Sequence, residues 1–101
     1  MSAEQIAYLR SRVLPVLEPY VTRITLFGSM ARGEHTPASD VDLVVALRQP
    51  GERPSLGLRW FEIEAVLSKR LGRPVELVTE EALSPHVRPY IESDRIVLYE
   101  A

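Results

Sequence analysis

The chain has 101 residues, 46% of them hydrophobic and 26% charged, which is ordinary for a soluble globular protein and sets the expectation of a single domain with a modest core. A formal net charge of -2 argues against a coat of basic residues, so no direct nucleic-acid binding is expected. The absence of cysteine excludes disulfides and thiolate metal sites and fits a cytoplasmic setting; no apolar run approaches the roughly 20 residues of a membrane helix, and Met1-Ser2-Ala3-Glu4 lacks the blocks of a signal peptide.

In chain order, Ser2-Ala3-Glu4-Gln5 reads as a capping box that starts a helix, with Ile6, Leu9, Val13, Val16 and Tyr20 at helical spacing. Pro15 predicts a kink or an end near Leu14, and Pro19 closes the segment. Ile24-Thr25-Leu26-Phe27 is a short β-rich run that stops at Gly28, and Ser29 to Arg32 fits one helical turn ended by Gly33. A polar loop from Glu34 to Ser39 leads into a second strand, Val41 to Leu47. Two prolines and a glycine make Arg48 to Ser55 a loop. Leu56, Trp60, Ile63, Leu67 and Leu71 mark a second amphipathic helix with Gly72 as its stop, and Trp60, Phe61 and the neighbouring leucines read as core. Pro74 to Val78 is a third strand, Thr79 to Ser84 a polar stretch, His86 to Ser93 a short helix and Ile96 to Tyr99 a last strand. This alternation gives an α+β class, a small mixed sheet flanked by helices on one or both faces.

The chemistry concentrates in Gly28-Ser29, ten intervening residues, and Asp40-Val41-Asp42. Two of the three aspartates in the chain sit here, one residue apart. A strand points residues i and i+2 to one face, so Asp40 and Asp42 present paired carboxylates. Adjacent anions repel unless a cation lies between them, and hard oxygen ligands suit Mg²⁺. Gly28 lets the backbone turn sharply and approach a phosphate oxygen, and Ser29 offers a hydroxyl and an N–H at a helix start. The bland alternatives are a plain strand-to-helix turn, with Asp40 as a cap and Asp42 merely exposed. Aspartate is disfavoured in strands, so its place at the head of an apolar strand asks for a reason.

Leu26-Phe27-Gly28-Ser29-Met30-Ala31-Arg32-Gly33-Glu34, followed by Ser39-Asp40-Val41-Asp42-Leu43-Val44-Val45, resembles the minimal nucleotidyltransferases of the DNA polymerase β-like nucleotidyltransferase superfamily. The likeness runs through nearly the whole chain, including Arg73-Pro74-Val75-Glu76-Leu77-Val78-Thr79. It implies the nucleotidyltransferase fold, with Asp40 and Asp42 holding Mg²⁺ on the phosphates of ATP and Gly28 and Ser29 seating the triphosphate. It also implies that Glu76 is the third carboxylate, a metal ligand or base; the family usually has Asp there, and the extra methylene alters the geometry. Arg32 contacts phosphate or braces the loop by pairing with Glu34 or a motif aspartate. His35 is expected on the surface, His86 has no second ligand, and Tyr90 and Tyr99 are expected to pack.

The expected reaction is Mg²⁺-dependent transfer of AMP from ATP to a hydroxyl. Stand-alone proteins of this type commonly act as antitoxins beside a HEPN-domain ribonuclease toxin, some by adenylylating its tyrosine, so the resemblance implies such a partner. The small chain has little room for an acceptor pocket, and its apolar helix faces leave room for a homo-oligomer. Two alternatives remain: an inactive antitoxin or scaffold that binds without catalysis, favoured by Glu76, and an antibiotic nucleotidyltransferase, disfavoured because those enzymes usually carry an added acceptor domain.

Overall fold

The computed structural model describes residues 2–33, 39–83 and 95–101. The short helix expected over His86 to Ser93, together with His35, His86 and Tyr90, lies outside the described residues.

Helix α1 spans Ala3–Leu17. Its capping box forms as the sequence requires: Ser2 Oγ accepts from the Gln5 backbone N–H at 3.1 Å, and Gln5 Oε1 accepts from the Ser2 N–H at 2.9 Å. Leu9, Val13 and Leu17, four residues apart, form the buried stripe. The helix does not end near Leu14; it runs on through Pro15 to Leu17. A proline this close to the end removes one backbone hydrogen bond, and burial of Val13 and Leu17 on either side holds the chain helical.

Strand β1, Val21–Phe27, begins three residues before the apolar run that announces it. Buried Val21 pairs with Leu47, and a register shift between Val21 and Arg23 takes up the polar start. A single helical turn α2, Ser29–Arg32, follows, then β2, Val41–Leu47. Helix α3 covers Arg59–Leu71 and stops at Gly72, so Leu56 lies ahead of its first turn and packs on the core from there. Strand β3 is Val75–Thr79 and β4 is Ile96–Glu100.

The sheet order is β3-β2-β1-β4. β1 runs antiparallel to β2 and β4, while β2 and β3 are parallel, with α3 as their crossover. The expected α+β mixed sheet is therefore observed. α1 lies against β4 and α3, and α3 lies against β3, so both helices cover one face. That face supplies Ile24, Leu26, Val41, Leu43, Val45, Val75, Leu77 and Leu98 to the core. Phe61 is not part of it: its side chain points outward on α3 at 65% exposure, whereas Trp60, one residue earlier, packs on the core. Consecutive helical residues lie about 100° apart, so Phe61 falls beyond the edge of the stripe that Trp60, Ile63 and Leu67 turn toward the core.

The opposite sheet face carries the polar groups. Arg23 reaches past its register partner Ala46 to bind Glu80 through Nη2 at 2.5 and 2.7 Å, and Nη1 meets Glu100 at 3.1 Å. This guanidinium links β1, β4 and the turn after β3. The same face holds Asp42 and Glu76, which are register partners across β2 and β3.

Leu67, fully buried on α3, joins the helical layer to the sheet. Leu67→Ala is expected to lower the unfolding free energy by about 2–5 kcal/mol, measured by urea titration followed by circular dichroism.

Candidate active site

The site lies where β1 leaves the sheet and β2 and β3 begin. Phe27, the last residue of β1, pairs with Asp42, and Asp42 pairs with Glu76. The next residue, Gly28, has φ 79° and ψ -157°, a conformation open in practice only to glycine. A methyl group placed on its Cα would overlap Asp42 Oδ2. The Asp42 carboxylate thus rests directly on the Gly28 backbone. The two halves of the motif, separated by ten residues in sequence, meet in space.

α2 carries Ser29 at its first position, where backbone N–H groups have no partner inside the helix. Gly33, left-handed at φ 75°, closes the turn, and the Arg32 N–H donates to the Gly28 carbonyl at 3.2 Å. Asp40 is exposed just before β2. The Val41 N–H then donates to the Pro74 carbonyl at 2.8 Å, which starts the parallel pairing that sets Asp42 beside Glu76.

Charge is concentrated here. Burial raises the proton affinity of the Asp42 carboxyl above the ordinary aspartate range, and the Glu76 and Asp40 carboxylates push it in the same direction. A hydrogen bond with Glu76 adds to the shift, and the Arg32 guanidinium opposes it. The longer Glu76 side chain therefore reaches Asp42, and the Arg32 charge acts on a motif aspartate. Among the described residues, no three acidic, His or Cys side chains gather into a cage for a metal ion. The chemistry of the donor set nevertheless fits a hard divalent cation: the groups are all oxygen donors, they face one another across adjacent strands, and they repel one another without a positive charge between them.

Three residues that the sequence did not single out fix this arrangement. β3 is an edge strand, and its outward N–H groups are taken by α3: Val75 donates to Ser68 Oγ at 3.0 Å and Leu77 to Glu64 Oε2 at 2.9 Å. Glu76 sits between those two anchored residues. The signal was present as an i, i+4 polar pair on the inward edge of α3 matched to i, i+2 donors on β3, but it needs the helix–strand pairing to be legible. The third residue is Arg73, whose Nη1 lies 3.4 Å from the Ser39 carbonyl and 3.7 Å from Met30 Sδ. A hollow of about 400 Å³ lies on the α1 side, lined in part by Glu4, Tyr8, Met30, Leu71 and Arg73; it contains none of the three carboxylates.

Residues 6–98 match the nucleotidyltransferase domain family. A Methanocaldococcus jannaschii protein assigned as a protein adenylyltransferase is 40% identical over 77 residues, covering 75% of each chain. A solved structure assigned as a minimal nucleotidyltransferase, 32% identical, superposes with a TM-score of 0.72 over 95% of both chains. A mutant form of the toxin–antitoxin MntA-HpeT, at 25% identity, gives a TM-score of 0.67 over 100% of this chain and 74% of that one.

Two outcomes follow from the geometry. Gly28→Ala is expected to cost about 1–3 kcal/mol more than Gly33→Ala in thermal unfolding: both positions have positive φ, but a methyl at Gly33 meets nothing within 4 Å. The second concerns pH. Because the folded state binds the Asp42 proton more tightly than the unfolded chain, ionising Asp42 removes stability as pH rises through its raised pKa. Asp42→Asn, melted in the presence of a chelator, is expected to exceed the parent protein in Tm at neutral pH, with the difference shrinking as pH falls into the range where Asp42 is protonated.

Proposed function

The chain belongs to the nucleotidyltransferase domain family, and on that premise we propose that this nucleotidyltransferase of the protein-adenylyltransferase type uses Mg²⁺ to transfer AMP from ATP to a hydroxyl group. The observation that carries the proposal is the Asp42 carboxylate lying on the Gly28 turn, with Asp40 and Glu76 beside it. That contact joins the two halves of the motif and sets hard anionic oxygen donors against a turn whose backbone is bare.

In this reading the triphosphate sits against Gly28 and the N–H groups at the start of α2, with the Ser29 hydroxyl as an added donor. Asp40 and Asp42 hold the divalent cation, with Glu76 as a third ligand or as base. When bound, the cation neutralises charge on the phosphates and on the leaving group. The acceptor oxygen attacks the α-phosphorus in line. An O–P bond forms, the bridging bond between the α- and β-phosphates breaks, and pyrophosphate leaves with the electron pair. The hydroxyl proton passes to the Glu76 carboxylate. Arg32 braces the Asp42 carboxylate and offers a positive charge at the mouth of the turn.

We further propose a tyrosine of a HEPN-domain toxin as the acceptor, with this chain as the antitoxin in a cytoplasmic pair. The likeness to the toxin–antitoxin MntA-HpeT supports that partner. No helix among the described residues is long and apolar enough to cross a membrane, which is compatible with such a setting.

A second reading, neutralisation by binding alone, is favoured by two features: Glu stands where the family usually has Asp, and the described carboxylates are not gathered into a metal cage. Incubation with α-labelled ATP, Mg²⁺ and the protein encoded by the neighbouring gene separates the two readings. Transfer of label is expected, and the double change Asp40→Ala, Asp42→Ala is expected to reduce it at least about a hundredfold. A stable complex with no label would establish the binding-only reading; undiminished transfer by the double variant would remove these aspartates from the mechanism.

A further inference from the structure

We propose that Arg73 is the positioning residue of this site: it ties the turn that follows Gly28 to the segment that delivers Asp40. The proposal rests on the functional reading above and adds a residue that lies outside the motif.

Arg73 stands between the end of α3 and the start of β3. Its Nη1 donates to the Ser39 carbonyl at 3.4 Å and lies 3.7 Å from Met30 Sδ. Ser39 is the residue before Asp40, and Met30 is the residue after Ser29. One guanidinium therefore touches both halves of the motif, each one residue from a group proposed to act. The backbone next to it does the complementary job: the Pro74 carbonyl accepts from the Val41 N–H at 2.8 Å. Asp40 is thus bracketed, with Arg73 holding the residue before it and Pro74 the residue after it.

The bracket matters because Asp40 is exposed and precedes the first paired residue of β2. The ladder alone fixes Asp42 and leaves Asp40 to the loop. Met30, by contrast, is buried at 6% exposure, so the sulfur end of the tether is anchored in the core. Arg73 is itself only half-exposed and lines the hollow on the α1 side together with Glu4, Tyr8 and Leu71. It approaches the motif from the helical layer, whereas Asp42 and Glu76 occupy the other sheet face. It acts through Ser39 and Met30 rather than on a phosphate. Both contacts are made by Nη1, whose two N–H groups lie in the fixed plane of the guanidinium, so arginine holds their directions where a lysine ammonium turns freely on its stem.

The test uses the full chain and three proteins: the parent, Arg73→Met, which keeps an apolar stem, and Arg73→Lys, which keeps a charge and a donor. Amide hydrogen exchange by NMR reads the tether without nucleotide, and calorimetry with Mg²⁺ and a non-hydrolysable ATP analogue reads its consequence. In Arg73→Met, exchange at residues 29–33 and 39–42 is expected to speed up about tenfold while the β1 and α3 amides keep their protection. Affinity for the analogue is expected to fall about tenfold in Mg²⁺ and to stay unchanged in chelator, and Arg73→Lys is expected to recover part of both effects. Parent-like exchange in the two segments of Arg73→Met would overturn the proposal. So would a uniform rise across the whole chain, or an equal loss of affinity with and without Mg²⁺. A parent protein that binds no analogue would defeat the functional reading instead, and the exchange data would still decide the tether.

Discussion

Everything in this structure that concerns chemistry depends on one contact, the Asp42 carboxylate seated on the bare backbone of Gly28. Two local facts make it. Antiparallel pairing sets Asp42 opposite Phe27, one residue before the turn, and the absence of a side chain at residue 28 leaves the space the carboxylate fills. The positive φ of Gly28 then turns the chain away into α2. Neither strand end could hold this position alone. Leu26 and Leu43, fully buried register partners one step back on the opposite sheet face, lock the two strands against the helical layer and so fix the contact from behind.

A cluster of like charges is a cost that the rest of the fold must carry. Asp42 is half-buried, hydrogen-bonded to Glu76 and within the field of Asp40, and each of these makes its ionised form less favourable. The compensation comes from groups that hold backbone rather than neutralise charge. Ser68 and Glu64 secure the outer edge of β3 around Glu76, and the Val41–Pro74 hydrogen bond secures the start of the parallel ladder. Arg32 is the one described cation that eases the Asp42 ionisation directly. On the proposed function, a cation among these anions would relieve their repulsion.

Much of this was legible in the sequence because the relevant signals are local. The capping box at Ser2 and Gln5, the Gly33 and Gly72 stops, and the apolar run in Val41 to Leu47 each involve residues close together in the chain. The juxtaposition of Gly28 with Asp42 was legible only as a spacing, and it took the β1–β2 register to turn that spacing into contact. Where expectation failed, tertiary packing prevailed over local preference. The helix did not end near Leu14 but ran through Pro15 because Val13 and Leu17 are buried around it, and Val21 and Arg23 joined β1 because their partners on β2 were available. The roles of Glu64, Ser68 and Arg73 were not legible from sequence, since each acts on a residue brought near by the fold and not by its place in the chain.

The placement of the carboxylates also bears on how specificity can arise. Asp40 and Glu76 are exposed at one end of the sheet, and the hollow of about 400 Å³ lies on the other side of α2, against α1. On the proposed function, the triphosphate would bind at an open edge, apart from that hollow and with no enclosing wall for an acceptor among the described residues. A macromolecular acceptor needs no such wall, because docking of its own surface supplies the positioning that a small-molecule enzyme must build into a pocket. On the proposed function, the chain contributes the reacting geometry and the partner contributes the address. Selectivity would then reside in the fit between two folded surfaces rather than in the chemistry at Asp42.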